Sequence, residues 1–342
     1  MKIVYLIGNG FDMNIGMKTQ YIDFYNYYLS LPKENDVEVI KTFKSTLKRN
    51  LNNWSDLEYE LGIYLNRINI SKDAITLHED LIEKLQGFFE EEEKKYHIDD
   101  TQKERLFNYL SRPFDYGLFT KIEHDKIQEI INEKGKDIDW DVKIITFNYT
   151  RTIERMVGLY NLPVQIGCYE NNNILLSEIV HIHGYANNRM ILGVNDNSQI
   201  ANENLKKDSG VSNRYVKINC NRTYGTDIND KCEQWVSEAN IVCLFGLSLG
   251  DTDKKWWQLL INKFIYGNLI FLFNYYEGKK PDYNQGVRRS EIMEEIKNNL
   301  LLKIDFKDDF IKEGLNINIM PTFSDEMFKF EILTENEFNG RF

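Results

Sequence analysis

The sequence predicts an α/β protein, a parallel sheet flanked by helices and carrying a large helical insertion. Three observations predict it. Short runs of β-branched residues each stop at a glycine or asparagine. Helical patterns follow three of those runs, as in chains that build a parallel sheet under helices. The first run, at residues 6–12, breaks into the bare turn "LIGNGFD". Open α/β sheets admit ligands to the backbone at such a bend, beyond the carboxyl ends of the strands.

Taken in order, "KIVYLIGNG" reads as the first strand and "YIDFYNYYLSL" as the helix after it. Residues 37–136 then change character, with Leu, Ile, Glu and Lys at helical spacing and the acidic stretch "FFEEEEKKYH". This reads as a helical insertion, either a cap over the strand ends or a layer without contact with a ligand. "VKIITFNYT" is the second strand, with "TIERMVGLY" as its helix, and "MILGVND" reads as the third. "NIVCLFGLSLG" is the fourth; the helix behind it, "DKKWWQLLINKFIY", carries the apolar stripe Trp256, Trp257, Leu259, Leu260 and Phe264. "GNLIFLFNYY" is a fifth strand, and residues 281–342 mix charged helical patterns with apolar runs such as "LNINIM". The expected organisation is one domain over 1–342, with its core at 1–36 and 137–280, the insertion at 37–136 and a C-terminal extension at 281–342.

Composition narrows the function classes. With 342 residues, 42% of them hydrophobic and 13% aromatic, the chain has the means to bury a sizeable core. A net charge of −11 and short, scattered lysine and arginine pairs disfavour nucleic acid as a partner. Cys168, Cys220, Cys232 and Cys243 lack C-x-x-C spacing and read as structural thiols. The N-terminal apolar run is too short for a signal peptide, and no run approaches membrane-spanning length, so a cytoplasmic location is expected.

The turns hold the candidate chemistry. Gly8 and Gly10 match two positions of the dinucleotide fingerprint, but Met13 stands where its third glycine belongs. Asp12, at a helix start, suits the local dipole, repels a pyrophosphate, and fits ribose hydroxyls or nearby positive charge. Asn148, where the second strand yields to a helix, is either a cap or an amide that orients water or a sugar hydroxyl. In "IVHIHGYA", His181 and His183 alternate as on a strand and so should face one side. A metal pair would need a third ligand, and none follows at a recognisable spacing. A general base at His183 and a hydrogen-bonded core histidine remain the two readings. In "GLSLGDTD", Ser248 is a donor, and Asp251 and Asp253 read first as helix caps.

Six elements in one order, "LIGNGFDMNIGMKTQYIDFY", "NWSDLE", "TFNYTRTIE", "HIHG", "LGVND" and "FGLSLGDTD", make the chain resemble the bacteriophage abortive-infection AbiH family. Through that family it is similar to the sirtuin-type, Rossmann-like NAD-binding fold. "GNGFD" takes the place of the Gly-Ala-Gly turn, "TFN" of Thr-Gln-Asn, "HIHG" of the catalytic His-Gly and "GLSL" of Gly-Thr-Ser, while Gly16 with Asp23 and Phe24 looks similar to the Gly-Ile-Pro-Asp-Phe stretch. The sirtuin zinc module and substrate-loop proline are missing, and Tyr149 and Thr150 replace Ile-Asp, which argues against lysine deacetylation.

The resemblance implies an antiphage effector that hydrolyses NAD or a related nucleotide as substrate, with no cofactor required. Asn148, His183 and Asp12 are the implied catalytic residues. Gly8, Asn9, Gly10, Phe11, Thr146, Gly184, Gly246, Ser248 and Asp251 are the implied nucleotide contacts. Trp54, Asp56 and Glu58 read first as structural, with reach into the pocket from the insertion as the other reading. A phage trigger and a homo-oligomer are the further partners expected of an effector. A nucleotide sensor or scaffold without catalysis is the alternative, and a nuclease lacks a carboxylate–metal cluster.

Overall fold

The computed structural model describes residues 1–34, 36–49, 54, 56–116, 119–158, 162–264, 269–274, 286–302, 318–323 and 327–330. Among these residues seven strands form one sheet: β1 (Lys2–Ile7), β2 (Trp140–Thr146), β3 (Val164–Tyr169), β4 (Asn172–His181), β5 (Ile241–Phe245), β6 (Leu269–Asn274) and β7 (Ile319–Phe323). Their order is β3-β4-β2-β1-β5-β6-β7, parallel throughout except for the antiparallel β3–β4 pair at one edge. From β1 the chain fills one side through β2 and β4, then crosses to β5 on the other. The order reverses at β1, and at such a reversal open α/β sheets characteristically bind ligands beyond the carboxyl ends of the strands.

The pleat of β1 shows why helices cover both faces. Ile3, Tyr5 and Ile7 point into a core with Leu106, Ile127 and Ile153, while Val4 and Leu6 point into another with Trp235, Trp257 and Leu300. Of the predicted stripe, Trp256, Trp257 and Leu260 are buried and Leu259 packs alongside; the side chain of Phe264 lies outside the described residues. Residues 315–317 of "LNINIM" also lie outside them, but its end begins β7, so the C-terminal segment supplies a strand.

Between β1 and β2 the chain is helical, at Tyr21–Ser30, Glu38–Arg49, Leu57–Tyr64, Ser71–Glu93, Asp100–Ser111 and Lys121–Ile130. The first four build a core around Phe24, Phe43, Leu61 and Leu81. That core also takes Tyr149 from the turn after β2, and Met190, Leu192 and Val194 from the segment after β4. Both segments follow strand carboxyl ends, so these helices lie over that edge of the sheet.

Two expectations are corrected. "MILGVND" is not a sheet strand: Ile191 N–H bonds His183 O, and Val194 makes a single bridge with Val216, closed by Val194 N to Tyr215 O (2.7 Å) and Lys217 N to Val194 O (3.0 Å). Its backbone is spent on loops, and Leu192 and Val194 are drawn into the helical layer. The histidines do not share a strand face either, because β4 ends at His181, and a turn closed by Gly184 N to His181 O carries His183 away.

The bare turn after β1 also has a structural cause. A Cβ on Gly10 would lie 2.4 Å from Gly246 Cα, and one on Gly8 would lie 2.6 Å from Gly246 O. The turns after β1 and β5 therefore touch backbone to backbone. Gly246, at φ +65, has the left-handed conformation that glycine adopts without strain. Gly10→Ala should cost about 3 kcal/mol through overpacking. Gly16→Ala, at φ +91 with open space around it, should cost about 1–2 kcal/mol from conformation alone. Urea unfolding of the two variants checks the order.

Candidate functional site

The strands in register deliver their turns to one edge. Ile7 pairs with Thr146 and Phe245, and Thr146 pairs with His181, so Gly8, Phe147, Ile182 and Gly246 are the next residues at a common level. The sequence places a polar residue just beyond three of these four ends: Asp12, Asn148 and His183. All three are buried.

Asp12 accepts the Thr150 hydroxyl at 2.6 Å on Oδ2, and its Oδ1 has no partner. Burial pushes its carboxyl up to about 7, with Glu93 adding to the rise and the Thr150 hydroxyl opposing it. Asn148 caps nothing with its side chain, because neither amide atom has a partner, although its backbone N–H bonds Thr146 Oγ1 at 3.1 Å. Its carbonyl accepts His181 Nδ1–H at 2.8 Å, and Nε2 of that ring lies 2.5 Å from Glu154 Oε1. Both nitrogens of His181 are therefore occupied. Of the two imidazoles, His183 is the one with a vacant nitrogen, Nδ1.

His183 sits against the edge of Phe147, ring centroids 5.5 Å apart, and its Nε2 lies 3.0 Å from Asp253 Oδ1. Burial, with the Lys217 charge, lowers its pKa to about 4 against the opposing pull of Asp253, so the ring is neutral at physiological pH. Lys217, itself buried, lies 2.8 Å from Asp253 Oδ1 and 2.7 Å from Glu58 Oε2. Burial disfavours the Asp253 charge, but Lys217 and His183 outweigh it and hold the carboxyl well below the usual carboxylate range. Burial pushes the Glu58 carboxyl upward against the opposing pull of Lys217. Tyr149 donates to Ile191 O at 2.7 Å and lies 3.0 Å from Glu58 Oε1, closing this side of the cluster.

Several implied nucleotide contacts are committed elsewhere. The N–H groups of Gly8, Gly10 and Phe11 donate to Phe245 O, Gly246 O and Gly8 O, so these three amides are committed within the protein. The Phe11 ring is fully buried against Phe245 and Phe328. The Asn9 amide donates to Thr19 O, and Thr146 Oγ1 is held by Asn148. Gly184, at φ +69, admits the turn to Arg189, whose carbonyl a Cβ would meet at 1.9 Å. Ser248 and Asp251 are exposed, and it is Asp253 that enters the cluster.

From the insertion, Asp56 caps the helix Leu57–Tyr64 through Tyr59 N, and Trp54 packs on Phe43. Glu58 reaches the cluster. Lys217 escaped the sequence reading. Its one signal was a lysine inside the apolar stretch "RYVKINC", a pattern that exposed helix faces also produce. Among the described residues, no group of three or more His, Cys, Asp or Glu is arranged to hold a metal ion, and no helix is long and apolar enough to cross a membrane.

A cleft of about 450 Å³, lined by Glu90, Glu93, Lys94, Arg155 and Asn187, opens nearby. Glu93 links it to the cluster by accepting Arg151 N–H and by its charge on Asp12.

The Asp12 carboxyl, pushed up to about 7 in the fold against an ordinary 3.8, costs stability once pH rises above the unfolded value, and the full cost is reached above 7. Asp12→Asn should therefore stabilise the fold by a margin that grows from about pH 5 to pH 8, to a few kcal/mol. Thermal unfolding at both pH values measures it.

The family model for bacteriophage abortive infection, AbiH, matches residues 4–275. No curated protein matches the chain.

Proposed function

Because the chain belongs to the bacteriophage abortive infection AbiH family, we propose that it acts as a defence effector that hydrolyses NAD or a related nucleotide at the nicotinamide–ribose bond. Family membership supports the abortive-infection role. The hydrolytic reading is supported by one observation: Asp12 Oδ1, both amide atoms of Asn148 and Nδ1 of His183 are buried without partners, just beyond adjacent strand ends. Unpaired buried polar atoms are costly, and a polar ligand or its attacking water would satisfy them.

Nicotinamide leaves NAD as a neutral ring that takes both electrons of its bond to ribose, so its departure needs no proton donor. The site's task is to meet the positive charge developing on the ribose and to present water. An ionised Asp12 offers Oδ1 to that charge. The Asn148 amide orients the water, and the neutral His183 accepts its proton at Nδ1, giving ADP-ribose, nicotinamide and a proton. The Gly8 and Gly10 amides are spent on the protein, so recognition of the phosphates falls to other groups.

Nicotinamide release by the purified chain, and NAD loss in phage-infected cells, test the reading. Asn148→Ala and His183→Ala should each lower the rate about 10²–10⁴-fold. Release that persists unchanged in both variants rejects the assignment, and nucleotide binding without turnover in infected cells would favour the sensor alternative. In the active wild type, the rate should rise with pH through an inflection near 7, where Asp12 ionises, and Asp12→Asn should abolish that limb.

A further inference from the structure

We propose that Lys217 is a positioning residue for His183, an inference that rests on His183 as the proton acceptor above. Its ammonium has three N–H groups and three acceptors: Glu58 Oε2 at 2.7 Å, Asp253 Oδ1 at 2.8 Å and Thr252 O at 3.2 Å. They come from two parts of the site wall. Glu58 belongs to the helical layer, and Thr252 and Asp253 to the turn after β5.

The position of Lys217 is itself fixed from behind. Val194 bonds Tyr215 O and receives Lys217 N–H, and at Gly193 a Cβ would meet Tyr215 O at 2.2 Å. The "LGVND" stretch thus clamps the backbone that carries the ammonium.

The consequence for His183 is chemical. Asp253 Oδ1 takes the ammonium and lies 3.0 Å from His183 Nε2. An ionised carboxylate only accepts, so Nε2 carries the ring proton and Nδ1 holds the lone pair. Three charged groups bear on the ring. Asp253 favours protonation, Lys217 and Arg189 oppose it, and the two cations with burial prevail. A buried ion pair is weak as a stability device, because apolar residues of similar volume often serve as well. Orientation of an imidazole is a task that apolar residues cannot perform.

Nitrogen-15 histidine NMR on the full chain tests this independently of turnover, with His183→Gln to assign the signal. In the wild type, His183 should show the Nε2–H tautomer without protonation between about pH 5 and pH 8. In Lys217→Met, and in Glu58→Gln/Lys217→Met, which removes the opposed charges together to preserve folding, its protonation midpoint should rise by about one to three pH units. Lys217→Arg should restore most of the wild-type behaviour. In an active preparation, Lys217→Met should also lower kcat for nicotinamide release at least about tenfold with KM little changed. An Nδ1–H tautomer in the wild type, or an unaltered titration in the folded double variant, overturns the proposal. The expected spectra from a wild type that releases no nicotinamide would uphold the positioning role and count against the hydrolytic reading alone.

Discussion

The contact between Gly10 and Gly246 sets the spacing on which the site depends. Two turns from non-consecutive stretches of chain meet there with no side chain between them, joined by Gly10 N to Gly246 O at 2.8 Å. Asp12 sits two residues beyond one turn and Asp253 seven beyond the other. A side chain at the contact would push the turns apart and carry both carboxylates with them. Polar groups in a water-poor site are effective only at hydrogen-bond distance, so this separation cannot drift without loss of the network.

Much of the architecture was legible because strand signals are local. "KIVYLI", "IVCLF" and "LIFLFN" each pack β-branched and aromatic residues into one short run, and they form β1, β5 and β6. "MILGVND" has a similar composition, yet its backbone finds partners in neighbouring loops. Apolar side chains specify burial, and burial under a helical layer reads the same as burial in a sheet. The β3–β4 hairpin is harder to see, since the first of its strands, "VQIGCY", is interrupted by Gln165 and Gly167 and lies at an edge.

The site was legible in part. Asp12, Asn148 and His183 stand at strand ends, where a run of hydrophobic residues breaks off into polar ones. The glycines were visible too, but the sequence does not distinguish close approach of a ligand from close approach of another turn, and here the neighbour is Gly246. Lys217 was hidden because its three acceptors come from residues 58, 252 and 253, and no local pattern encodes a contact that spans the chain. Asp253 was visible only as a cap. Its engagement with His183 is a product of tertiary structure.

The far end of the chain bears on how the molecule can be divided. The family match stops at residue 275, yet β7 pairs with β6 beyond that point, and Phe328 is fully buried against Tyr5, Phe11 and Phe245. Its ring is a wedge beneath the first turn, and its carbonyl accepts the amide of Asn14. A fragment trimmed to the matched region would expose three aromatic rings under the glycine contact and leave β6 as a bare sheet margin open to intermolecular strand pairing.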